Sequence, residues 1–191
     1  LGKEFCKIEE INSQIVAGAG ALKSRVSEFA KNNEYANFEF LSSIPGTVGG
    51  GVSMNAGCFG SEMSDVVSQI SVIDLSGEEK IITLKNIGFD YRKTELLNSY
   101  IIIEVLFKKT KKIQSTVIEN KINLLKKKKN ENQPSGIRTG GSTFKNPIGS
   151  SKKAWELIRF SYDLKDFPEE EDFHFHSFQK TSHEIENWFT M

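Results

Sequence analysis

Two stretches of this chain hold residues spaced for chemistry. The first is Ile44-Pro45-Gly46-Thr47-Val48-Gly49-Gly50-Gly51, continued by Met54-Asn55-Ala56-Gly57 and Gly60. It is almost free of charge. Glu62 and Asp65 follow only after the glycines, so a phosphate placed here would not be repelled. The glycine density argues against a helix, because each interior Gly costs about 1 kcal/mol relative to Ala. It also argues against an ordinary strand, because Gly offers no side chain to pack. Pro45-Gly46 reads as a turn, with Pro presetting φ and Gly taking a positive value. Past such a turn, successive exposed N–H groups can form a nest for an anion such as a pyrophosphate. Glycine also lets backbone approach a ligand closely. The bland alternative is a loop that merely turns, and glycine content alone leaves both open. No Gly-Lys-Ser/Thr closes a P-loop, and the G-x-G-x-x-G spacing of a dinucleotide fold is missing.

The second stretch is Arg138-Thr139-Gly140-Gly141-Ser142-Thr143-Phe144-Lys145-Asn146-Pro147. Read alone, Ser142 is a turn hydroxyl bonding to backbone, and Asn146 is a pre-proline turn residue. Between the two stretches lies Tyr91-Arg92. A guanidinium can fork onto a carboxylate, but beside Asp90 and Glu95 this one reads in isolation as a surface arginine.

The elements that must position these residues alternate. Ser13 to Gly20 reads as a short strand, and Ala21 to Asn33 as an amphipathic helix with Leu22, Val26, Phe29 and Ala30 on one face. Val66 to Leu75 and Lys80 to Leu84 read as a hairpin turning at Ser76-Gly77. Tyr100 to Phe107 is a buried strand by its Ile and Val content, and Asn86 to Arg92 a polar-aromatic connection. Ile113 to Lys129 has apolar residues at 113, 117, 118, 122 and 125, a helical period. Its closing run of lysines suits a solvated helix end better than a nucleic-acid patch. Lys152 to Phe160 again looks helical, with a domain boundary expected near Thr110.

Composition narrows the class. The chain has 191 residues, with 25 basic and 25 acidic side chains, so no global charge points to nucleic acid or a membrane surface. No 18-residue apolar run reads as a membrane span. Two cysteines, Cys6 and Cys58, make no disulfide framework, and a cytoplasmic location is expected. Cys58 reads as a small apolar packing residue. His174 and His176 with His183 could share a face, but no Cys accompanies them, and no metal site is expected.

Taken together, Ile44–Gly50, Met54–Gly57 with Gly60, Tyr91-Arg92 and Gly141–Pro147 resemble the UDP-N-acetylenolpyruvoylglucosamine reductase (MurB) family. That family carries an IPGTVGG…MNAG…G loop, a YR pair and GSTFKNP in this order. The resemblance runs from about Val16 to about Arg159. It implies an α+β fold: a partial FAD-binding domain of the PCMH/VAO type over 1–110, an incomplete substrate domain over 111–160, and a divergent tail over 161–191.

It further implies that NADPH reduces FAD, which passes hydride to the enolpyruvyl group of UDP-N-acetylglucosamine enolpyruvate, giving UDP-N-acetylmuramate for peptidoglycan. The residues implied to bind FAD are Pro45, Gly46, Thr47, Val48, Gly49, Gly50, Asn55, Ala56, Gly57 and Gly60. Ser142 is implied as the proton donor and Arg92 as its charged catalytic partner. Tyr91, Lys145 and Asn146 are implied to meet substrate. A serine hydroxyl is a weak acid, and it serves when the acceptor is a basic enolate and cations stabilise the alkoxide. The family's earlier FK-x-GG and G-x-GSN segments precede the point where this sequence starts. From Ser161 the sequence leaves the family's GA-x-VS-x-KH-x-NF pattern, and no residue matches its later catalytic Glu. Two alternatives stand beside the reductase: another flavin oxidoreductase, and a truncated, catalytically silent remnant.

Overall fold

A computed structural model describes residues 2–95, 99–132, 144–154 and 156–157. Ser142, Gly141, the three histidines and the tail from 161 onward lie outside the described residues. The chain forms two compact units, Leu1–Lys127 and Lys128–Met191. The structure combines helices with an antiparallel sheet, the α+β class that the resemblance implies.

The first unit is built on a five-stranded sheet of order β1-β2-β9-β5-β6, antiparallel at every pairing. Its strands are β1 (Ile8–Ile11), β2 (Gln14–Gly18), β5 (Val67–Asp74), β6 (Glu79–Thr83) and β9 (Tyr100–Phe107). Strand β1 was not apparent in the sequence. It joins β2 through Asn12 and Ser13, whose φ values of 52° and 60° are those of a primed two-residue hairpin turn. The β5–β6 hairpin forms as expected. At its turn the Asp74 carboxylate accepts from the N–H groups of Ser76 and Glu78 at 2.9 and 3.0 Å. The expected strand Tyr100 to Phe107 is β9, and it lies at the centre of the sheet.

One face of the sheet carries the core. Ile15 and Ala17, Ile70 and Val72, and Val105 and Phe107 recur at alternate positions and are buried. Against them packs α1 (Lys23–Asn32), with Val26 and Ala30 fully buried. A short 3-10 turn, Glu39–Ser43, adds Phe40 and Leu41. Ahead of it Phe38 meets Phe107 edge to face, with ring centroids 5.4 Å apart. Helix α5 (Ser115–Asn132) buries Ile118, Ile122 and Leu125 at the spacing of one helix stripe. Val117, counted on the same face from the sequence, is half exposed. Thr110 falls in the connection between β9 and α5.

The glycine stretch corrects the sequence reading. Val48–Ser53 is a helix, α2, despite three consecutive glycines. Propensity is overridden by packing. Val48 and Val52 are fully buried, and the helix lies so close to β2 that a Cβ on Gly49 would sit 2.9 Å from the Ala19 Cβ. Burying two valines outweighs a propensity deficit of about 1 kcal/mol per glycine only because no side chain stands between the two backbones.

In the second unit, the described residues show a helix start. The N–H of Ala154 donates to Asn146 Oδ1 at 3.1 Å, and that of Lys153 to Glu156 Oε2 at 2.5 Å. These bonds satisfy N–H groups that a first helical turn leaves without intrahelical acceptors.

Candidate functional site

The end of β2, the start of α1 and the glycine bend are laced together by backbone. Val48 donates to the Ala21 carbonyl at 2.8 Å, Gly49 to Ala19 at 2.8 Å, and Lys23 to Gly46 at 3.1 Å. Leu22 and Thr47 pair as an isolated antiparallel bridge. Gly46 has φ of +92°, the turn conformation expected after Pro45. Thr47 caps α2: its hydroxyl accepts from Gly50 N–H at 3.3 Å, and its carbonyl from Gly51 at 2.9 Å. The N–H groups of Val48, Gly49, Gly50 and Gly51 therefore donate inside the protein. The open nest of consecutive N–H groups expected from the sequence is not what this stretch forms.

The glycines fall into two kinds. Gly49 and Gly57 are required by packing. A Cβ on Gly57 would lie 2.6 Å from the Ser61 carbonyl, much as one on Gly49 would strike Ala19. Gly50, Gly46 and Gly60 are different. Gly50 is exposed, and a Cβ there would meet only the Thr47 hydroxyl, at 3.3 Å. Among the described residues, the single atom close to a Cβ on Gly46 is Lys23 Nζ, and none comes within 4 Å of one on Gly60. Gly60, with φ of +80°, completes a two-residue turn with Phe59 (φ 53°) between β3 (Gly57–Cys58) and β4 (Ser61–Glu62). Cys58 is half-buried against the core, its Sγ 3.5 Å from the Phe40 carbonyl, the packing role expected of it.

Asn55 ties this region to the next. It is buried, with φ of +41°, a conformation that Asn tolerates better than most residues. Its Nδ2 donates to the Asp90 carbonyl at 3.2 Å, and its Oδ1 accepts from Ser64 N–H at 3.0 Å. Ser64 lies in α3 (Met63–Val66), which follows β4. Asp90 ends β7 (Phe89–Asp90), paired with β8 (Lys93–Thr94) and reached through the short helix α4 (Leu84–Ile87). The Thr94 hydroxyl donates to the Ser53 carbonyl at the end of α2, 3.1 Å away. These bonds hold the β7–β8 hairpin against the glycine helix, and Tyr91-Arg92 forms its tip. Arg92 has φ of +52°, and its guanidinium lies over the Tyr91 ring, 5.6 Å from the centroid. A non-glycine residue held in this region stores strain of order 1–3 kcal/mol.

The structure thus brings Tyr91-Arg92, distant in the sequence, to the stretch that holds Pro45 to Gly50 and Asn55 to Gly60. Lys145 and Asn146 belong to the second unit, where the Asn146 side chain caps the following helix. Ser142 is outside the described residues.

One residue escaped the sequence reading. Lys23, first in α1, is 4 % exposed. Its Nζ lies 3.5 and 3.6 Å from where Cβ atoms would stand on Gly51 and Gly46. Among the described residues it has neither hydrogen-bond nor ion-pair partner. Burial holds its ammonium below the ordinary lysine range. The available signal was a cation opening a helix straight after Gly-Ala-Gly-Ala-Leu, the end of the dipole where anions are favoured.

Comparison with known proteins bears on this arrangement. Residues 1–83 match a family described as "FAD binding domain". The UDP-N-acetylenolpyruvoylglucosamine reductase of Pelagibacter ubique is 46% identical over 166 residues, 86% of this chain and 55% of that protein. That of Rickettsia conorii is 42% identical over 158 residues, 83% of this chain and 52% of the relative. The crystal structure of the enzyme from Thermus caldophilus, called MurB, superposes with a TM-score of 0.71 at 30% identity, covering 83% of this chain and 56% of that one. The chain spans about half the length of the curated relatives it matches.

Proposed function

The chain is of the UDP-N-acetylenolpyruvoylglucosamine reductase family over the residues aligned, and from that premise we propose that its glycine bend receives FAD in such an enzyme. The substrate is UDP-N-acetylglucosamine enolpyruvate, the hydride source NADPH, the product UDP-N-acetylmuramate for peptidoglycan, and the compartment the cytoplasm. The observation that carries the reading is the pairing of open glycines with an orphaned cation. Gly46 and Gly50 lack the close packing that Gly49 needs, and Lys23 presents a buried, unpartnered ammonium beside Gly46. A group with a flat ring and a diphosphate fits such a surface: bare backbone to lie against and one positive charge to meet.

FAD, when bound, supplies hydride transfer. The chain supplies position and charge. Pro45 to Gly50 and Asn55 to Gly60 offer backbone to the cofactor. Arg92, at a strained hairpin tip, pairs with the carboxylate of the enolpyruvyl group and favours its enolate form. Ser142 gives its proton to the enolate carbon, with Lys145, Asn146 and Tyr91 holding the substrate.

Purification and a visible spectrum test the reading. The protein should be yellow or become so on incubation with FAD. A colourless chain that cannot be loaded would overturn it and favour a silent relative. In the loaded protein, Ser142→Ala should keep bleaching of the flavin by NADPH while product formation falls by about 10²-fold or more. Unchanged turnover would remove Ser142 from the chemistry.

A further inference from the structure

Lys23 is an expensive residue to keep where it stands. Its side chain is 4 % exposed, and no carboxylate, carbonyl or hydroxyl among the described residues accepts from its Nζ. An ammonium buried this far without a partner is disfavoured, since burial strips much of its water and no group among the described residues replaces it. The position adds a second penalty. Lys23 is the first residue of α1, a ten-residue helix, so its charge sits at the positive end of that helix's dipole. Its N–H is tied to the Gly46 carbonyl, so the residue does not swing free of the bend.

The surroundings explain where the charge points. The stem packs under α2, with Cδ 3.0 Å from a Cβ position on Gly51. The tip lies between Gly51 and Gly46, 3.5 and 3.6 Å from their Cβ positions. A side chain at Gly51 would crowd the stem, while a Cβ on Gly46 would meet the tip only at ordinary contact distance. The hydroxyls of Ser27 and Tyr35 are sealed from solvent without partners, but the Lys23 tip is not among the sealed atoms. The tip is therefore not wholly sealed from solvent, and the Gly46 bend is among its neighbours.

We propose that Lys23 is a ligand-binding residue of the glycine-bend site, whose ammonium receives the diphosphate of a nucleotide ligand. This rests on the reading of the bend as a nucleotide site and adds to it the group that supplies the positive charge. The diphosphate could belong to the flavin dinucleotide or to the uridine diphospho-sugar, and both share the chemistry that Lys23 would recognise. The glycine backbone cannot do this alone, because the N–H groups of residues 48–51 are already engaged within the protein.

The test uses the full chain and Lys23→Met, which keeps an unbranched apolar stem and drops the charge. Losing a buried charge should leave the variant folded, and a melting curve checks this. Titration with FAD and with UDP should show one of them bound roughly tenfold or more weakly by the variant, the range for a hydrogen bond to a charged group. The ligand that weakens identifies the source of the diphosphate. Affinities within twofold for both would overturn the proposal. Acetylation of Lys23 with an amine-reactive anhydride, read by mass spectrometry, gives a second readout with inorganic pyrophosphate as the probe. Protection of Lys23 by pyrophosphate supports the proposal even if wild-type protein takes up no flavin, an outcome that would sink the flavin reading alone. Equal labelling with and without pyrophosphate overturns the assignment of Lys23.

Discussion

At the scale of single residues, the site separates glycines that the fold needs from glycines that it does not. Gly49→Ala gains about 1 kcal/mol of helix propensity but places a methyl 2.9 Å from Ala19 Cβ. Two backbones would have to part, and a net loss of about 1–3 kcal/mol is expected in urea denaturation. Gly50→Ala meets only the Thr47 hydroxyl, and its stability should stay within about 1 kcal/mol of wild type. If the bend holds FAD, Gly50→Ala should still weaken FAD binding, a loss that stability cannot account for. Lys23 makes a prediction in pH. Its folded pKa lies below the ordinary value of 10.5. Between the two values the unfolded chain binds more protons, so stability rises with pH across that window. Lys23→Met should be more stable than wild type below it, and chemical denaturation at two pH values would show the gap closing as pH rises. Much of this scale was legible beforehand. The turn at Pro45-Gly46 followed from residue type, and so did the packing role of Cys58. The buried Lys23 was not legible, because burial of a lysine depends on what lies across from it.

At the scale of elements, legibility followed period and length. The helix ending at Asn32, the β5–β6 hairpin, β9 and α5 all announced themselves by repeating apolar positions. Strand β1 did not, because Ile8-Glu9-Glu10-Ile11 is too short and too charged for a period to show, and only its turn geometry pairs it with β2. Helix α2 failed for the opposite reason: local preference spoke clearly and tertiary contact overruled it. The 3-10 turn before the bend carries a buried carboxylate, Glu39, 2 % exposed, whose Oε1 lies 3.3 Å from Lys121 Nζ on α5. Among the described residues that oxygen has no hydrogen-bond partner, and the ion pair is what compensates it. Lys121→Ala should cost about 1–3 kcal/mol, less than a fully buried pair because Lys121 is half exposed. Adding Glu39→Gln should return part of the loss, and a double-mutant cycle in urea would measure it.

At the scale of the whole molecule, the described core lies in the first unit. Every buried hydrophobic residue among those described is at or before Leu125. A chain ending at Lys127 should therefore melt cooperatively, and calorimetry of that fragment would test it. The α+β class and the likeness to the reductase family were legible from the glycine stretch, Tyr91-Arg92 and Gly141–Pro147 taken together in their order. What those motifs left unsaid was how the Tyr91-Arg92 tip reaches the glycine helix. That depends on side-chain bonds from Asn55 and Thr94, and such bonds have no sequence period. The sheet order carries one more consequence. Among the described residues β1 and β6 are outermost and pair on one side only, so each offers backbone to a foreign chain. Glu9 and Glu10 guard one rim, Glu79 and Lys80 the other, and an intruding strand would have to dehydrate them. Replacing Glu9 and Glu10 by valine is thus the change after which concentrated protein should first polymerise into fibrils.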